Sequence, residues 1–112
     1  MEEGVPRKQI KISDRFYESF AYIYDVGLEM FGYFQAERYE QKIRHDLRML
    51  PNFYLAYPEC RHLATKSRKY RNIILDSHLI IYRITDQRIE VLDIIHSASS
   101  IGKIRTTRSI RL

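Results

Sequence analysis

The chain has 112 residues, 45% of them hydrophobic and 29% charged, which suits one soluble domain with a core that needs no disulfide staples. Its single cysteine, Cys60, excludes an intrachain disulfide and a cysteine-cluster zinc site and fits a reducing cytoplasm. The opening "MEEGVPRKQIKIS" is too polar for a leader, and no apolar run approaches the ~20 residues that span a bilayer. The net charge is +5 and unevenly placed: the acid-free segments 61–71 and 97–112 carry nine cations, leaving −4 on the other 85 residues. Such a field suits a polyanion; a basic tail that aids solubility or meets an acidic partner reads the same composition equally well.

In chain order, "RKQIKIS" (7–13) alternates polar and apolar, with Ile10 and Ile12 on one face, and predicts a short edge strand. Ser13 or Asp14 then caps a helix, whose apolar positions Phe16, Phe20, Ile23 and Gly27 follow helical spacing beside Tyr24, Leu28 and Phe31. Gly27 lowers helix propensity by roughly 1 kcal/mol against alanine and is expected to admit a neighbouring element closely. Gly32 is the expected stop. A second helix over about 34–50 has the stripe Ala36, Tyr39, Ile43, Leu47 and Leu50, with Pro51 expected to end it.

The long connection 51–69 packs down at Phe53, Tyr54, Leu55 and Tyr57 and turns cationic in its second half. A meander follows, with strands over 71–75, 78–84 and 88–96 joined by turns at Asp76-Ser77 and Thr85-Asp86-Gln87. Strict alternation puts Ile80, Tyr82 and Ile84 opposite Leu79, Ile81 and Arg83 on the middle strand. On the last strand it puts Leu92, Ile94 and His96 opposite Val91, Asp93 and Ile95. The expected fold is α+β, ordered β-α-α-β-β-β, one domain over 1–112 with a basic tail from about 97. A helical hairpin packs on one face of a small, mostly antiparallel four-stranded sheet, and the other face is expected to serve a partner or ligand. The tail "KIRTTRSIRL" is a flexible arm, an added strand or a short helix; if it docks, Ile104 and Ile110 anchor it.

This order, with "YPECRHLATKSRKYRNIIL" (57–75) and "HLIIYRITDQRIEVLDIIHSASS" (78–100), resembles the RelE/ParE superfamily of toxins from type II toxin–antitoxin systems over roughly residues 7–100. The resemblance implies a cytoplasmic, growth-inhibiting toxin of a plasmid-stabilising module that forms a hetero-oligomer with its cognate antitoxin. No cofactor is expected. RelE-like members are mRNA endonucleases that cut messages in the ribosome; ParE-like members inhibit DNA gyrase.

Metal-independent RNA cleavage needs a base for the 2′-hydroxyl, cations for the phosphorane and an acid for the leaving oxygen. This sequence departs from the RelE-like set. The middle-strand position of that group's catalytic arginine falls near Leu79, and "HSASS" replaces its basic ending. Arg71, Arg83 and His96 remain as the catalytic candidates if the chain is a nuclease, and their poor match favours the ParE-like side. Arg83 is also placed to pair with Asp93 on the neighbouring strand, and His96 reads equally as a strand-end histidine. His45 and His62 read as surface residues, His78 as structural and Cys60 as a bystander thiol; no metal-ligand spacing is evident. For target or nucleic-acid binding the candidates are Arg61, Lys66, Arg68, Lys69, Lys103, Arg105 and Arg108. Composition leaves RNA or ribosome, an acidic antitoxin and a gyrase subunit open as their partner. The tyrosines of the helical hairpin suit half-buried edges and interfaces.

Overall fold

Ser13 sets the first two elements. Its hydroxyl accepts a hydrogen bond from the Phe16 N–H at 3.0 Å and caps helix α1, Asp14–Phe31. Its backbone N–H donates to the Val91 carbonyl at 2.9 Å, so the cap is also tied to the sheet. The computed structural model describes residues 5–112; the first four residues of the polar opening lie outside the described residues. Strand β1, Gln9–Ile12, precedes α1, and α2, Tyr33–Phe53, follows it across Gly32, whose φ of +87° is left-handed and favours glycine. Pro51 does not end α2. It sits within the last turn, and the helix runs on to Phe53.

Strands β2 (Tyr70–Ile74), β3 (His78–Ile84) and β4 (Arg88–His96) form the predicted antiparallel meander. β1 lies on the far edge of β4 and runs parallel to it, giving the order β1-β4-β3-β2. The first core fills the space between the hairpin and the sheet, with Phe16, Ile43, Leu47 and Leu50 against Ile80, Tyr82, Val91 and Ile94. Tyr54 joins this core and Tyr57 packs against it, whereas Phe53 and Leu55 stay largely exposed.

Strict alternation fails on β4. Ile81 faces Asp93 and Tyr82 faces Val91, which leaves Leu92 as an extra residue in a β-bulge. The Ser13 hydroxyl holds that bulge by donating to the Leu92 carbonyl. Val91 and Ile94 consequently face the hairpin, while Leu92 and Ile95 face the other way.

The second sheet face is not left open. Ile81, Leu92 and Ile95 are apolar, and the chain covers them itself. Cys60 and Leu63 come from the long connection, which makes a 3-10 turn at Arg61–Leu63, and Ile104 comes from a short helix α3, Ile101–Thr106. Ile110 and Leu112 close the edge of this second core. The tail is therefore a docked short helix anchored at Ile104 and Ile110, capped by Ser100, whose hydroxyl accepts from the Lys103 N–H at 3.1 Å. A sheet with apolar residues on both faces must bury both.

Candidate functional site

The surface left unfilled lies along the hairpin. Of the 18 residues of α1, only Phe16 is buried. Tyr22, Met30, Phe31 and Phe34 are 70%, 68%, 59% and 81% exposed. Between this part of the hairpin and the β2–β3 turn runs a groove of about 1260 Å³, lined by Ile23, Met30 and Phe31 from α1, Tyr39 from α2, and His78 and His96 from the strand ends. The groove is mostly apolar, with charged residues such as Arg38, Lys42 and Asp76 along its lining, and an exposed apolar surface of this kind makes it the candidate interaction site. Gly27 lines it, and a Cβ there would lie 3.6 Å from the Ala36 Cβ, an ordinary contact; the helix approach does not require glycine. Across the hairpin the Tyr24 hydroxyl donates to Glu37, a bond that pushes the phenol up to about 12.

The groove floor carries a small polar cluster. His78 and His96 face each other across β3 and β4 with ring centres 5.3 Å apart. The Tyr39 hydroxyl lies 2.8 Å from His78 Nδ1 and accepts from the Ser77 N–H at 3.4 Å. His96 Nδ1 accepts from the Ala98 N–H at 3.0 Å. Burial pushes the His78 imidazole down, and His96 adds to the effect.

Arg83 lies on the other face and is only 8% exposed. Its partner is Glu90, not Asp93. The register places Glu90 opposite it, with Glu90 Oε1 at 2.6 Å and 2.8 Å from two of its nitrogens. Its remaining donors reach the Tyr70 hydroxyl at 3.4 Å, the Arg108 carbonyl at 3.3 Å and the Ile110 carbonyl at 3.1 Å. Burial alone would raise the Glu90 carboxyl, but hydrogen bonds and charge from Arg83 and Arg88 outweigh it and hold it low. Asp93 instead accepts from the Ser19 hydroxyl at 2.7 Å and the Ile94 N–H at 2.8 Å. Its burial pushes that carboxyl up against those bonds.

The three catalytic candidates do not converge. Arg71 donates to the Tyr57 carbonyl at 2.9 Å and to the Arg68 carbonyl at 3.2 Å, stitching the long connection to β2. Arg83 clamps the tail. His96 pairs with His78, six residues along β4 from Glu90, roughly 20 Å at strand rise. The binding candidates do gather, with one exception. Arg61, Lys66, Arg68 and Lys69 are exposed on the connection, and Arg105 and Arg108 are exposed on the tail that packs beside it. Lys103 lines the groove instead. Cys60 is 1% exposed and burial raises its thiol. No helix is long and apolar enough to cross a membrane, and no three His, Cys, Asp or Glu gather for a metal among the described residues.

Sequence reasoning counted Tyr39 among the interface-suited tyrosines but did not single out the groove residues Met30 and Phe31. The available signal was an α1 too apolar for one buried stripe: Tyr17, Tyr22 and Met30 lie off the Phe16–Phe20–Ile23 line.

Comparison with known proteins agrees with this architecture. The family model described as "ParE toxin of type II toxin-antitoxin system, parDE" matches residues 10–101. Among solved structures the chain is similar to a chain of the "Chromosomal ParDE TA system from P. aeruginosa", with a TM-score of 0.65 and 16% identity over 80% of this chain and 96% of that one. No curated protein matches the sequence at a significant level. With a family match over most of its length and the same fold, this chain belongs to the ParE toxin family of type II toxin–antitoxin systems.

Proposed function

We propose that the protein inhibits growth in the cytoplasm by binding a target, DNA gyrase by analogy with ParE-like members, and not by cutting RNA. Its cognate antitoxin neutralises it by laying an apolar helix in the hairpin groove. The observation that carries the target-binding reading is the dispersal of Arg71, Arg83 and His96. Arg83 is occupied by Glu90 and the tail, Arg71 by loop carbonyls, and His96 stands at the far end of the sheet. A general acid or base must stand within hydrogen-bond reach of the proton it moves, with the charge-stabilising cations at the same phosphate.

The test is inducible expression in a bacterial host with pulse labelling of DNA and protein synthesis in the first minutes. An early halt in DNA synthesis with induction of the DNA-damage response supports the reading. An early halt in protein synthesis, with transcripts cut on ribosomes, overturns it in favour of an mRNA endonuclease. His96→Ala sharpens the comparison, since this exposed side chain gives up only the Ala98 N–H bond and the His78 ring contact, and a melting curve checks the fold. Target binding predicts full toxicity for that variant.

A further inference from the structure

Segments 61–69 and 103–111 are far apart in sequence, yet Leu63 and Ile104 bury in the same cluster on the second sheet face. Lys69 and Arg111 border one shallow recess with Arg83. The result is a cationic face bearing Arg61, Lys66, Lys69, Arg105, Arg108 and Arg111, all exposed and none in an ion pair among the described residues. Two acids on these elements are already neutralised: Glu59 by Arg68 at 3.5 Å, and Glu90 by Arg83 and Arg88 at 2.6 Å and 2.9 Å. The counter-charge sits elsewhere, on α1, with Asp14, Glu18, Asp25 and Glu29 against Arg15 alone.

We infer that this face binds the phosphate backbone of duplex DNA without sequence preference. Six cations on one surface attract a polyanion through counterion release. Two features select the kind. Single strands are held by bases stacking on exposed aromatic rings, and the exposed aromatics Tyr17, Tyr22, Phe31, Tyr33, Phe34 and Phe53 all belong to the hairpin helices, while Tyr70 is buried beneath Lys69 and Arg83. Duplex RNA is recognised in part through its 2′-hydroxyls, but Thr106 and Ser109 turn their hydroxyls back onto the Lys103 and Thr106 carbonyls. What the face offers outward is chiefly ammonium and guanidinium groups, which position on phosphates and read no bases. The inference does not depend on the toxin's target.

The experiment is fluorescence anisotropy of the purified chain with a labelled random-sequence 20-base-pair DNA duplex, titrated with salt. Contact by four of the six cations predicts a log–log slope of about −3.6 and about 150-fold weaker binding at 200 mM than at 50 mM salt. Arg105→Gln with Arg108→Gln should flatten the slope by about 2. Arg38→Gln with Arg48→Gln, which removes the same charge from α2, should leave it unchanged. Equal flattening by the two pairs overturns the inference, as does no binding at 50 mM salt. So does tighter binding of single-stranded DNA, duplex RNA, an acidic polypeptide or anionic vesicles at equal charge. Matched melting curves confirm that each variant is folded, so failure here leaves growth inhibition standing as a separate question.

Discussion

His78 couples the groove floor to pH. It faces Tyr39 from α2 and His96 from β4, with Asp76 on its own turn. Burial, reinforced by His96, lowers its pKa in the folded chain, so below about 6.5 the unfolded chain takes up the proton first. The contribution is intact above that value and is lost as pH falls through it toward the folded pKa. His78→Gln, which keeps a polar partner for Tyr39, should therefore lose less thermal stability than the wild type between pH 7 and pH 5. Parallel melting curves across that range would remove His78 as the cause. The sequence placed His78 at a strand start as a structural residue; its neighbours were beyond reach because Tyr39 lies 39 positions away. Arg83 teaches the same lesson. Its strand and its face were legible from alternation, but its partner depended on register: the pairing that starts at the β3–β4 turn sets Glu90 opposite Arg83 and leaves Asp93 opposite Ile81.

At the scale of elements, periodicity was informative wherever one face is buried. The α2 stripe Ala36, Ile43, Leu47 and Leu50 is buried as its spacing requires, and the meander turns fall where the polar breaks stand. The bulge was hidden because Leu92 and Ile94 are both apolar, so the slip between them leaves no trace in hydropathy. The tail's anchors were legible as isolated isoleucines, but not the face they cover, because six residues make too short a helix for a clear period. The structure makes α3 part of the fold, so deleting residues after Ser100 would strip a core as well as a surface. Ile104→Ala should cost about 2–5 kcal/mol, and Cys60, 1% exposed beneath it, should react faster with a thiol reagent. Arg105→Gln, one residue away and pointing outward, should stay within about 0.5 kcal/mol of the wild type and leave Cys60 protected. Denaturant melts and thiol-labelling rates on the two variants decide this; equal protection of Cys60 in both would show that the tail does not seal the second core.

Across the whole molecule the two candidate surfaces are built from different elements. The apolar groove belongs to α1, α2 and the strand ends, whereas the cationic face belongs to the connection and tail beyond the sheet. Lys103 lies at the boundary, lining the groove while its neighbours Arg105 and Arg108 do not. This arrangement predicts independent binding. Met30→Glu with Phe31→Glu puts charge where an apolar helix would seat, and should weaken antitoxin binding at least about 10-fold. It should leave the salt slope for duplex DNA unchanged. Arg105→Gln with Arg108→Gln should do the reverse. Combining all four substitutions should give free-energy changes that add within about 0.5 kcal/mol, since the pairs share no partner side chain. Binding measured for both ligands on all three variants checks this directly. A coupling well beyond that margin would mean that the sheet transmits strain from one face to the other. Additivity would mean that an antitoxin can fill the groove while the cationic face remains open to a polyanion.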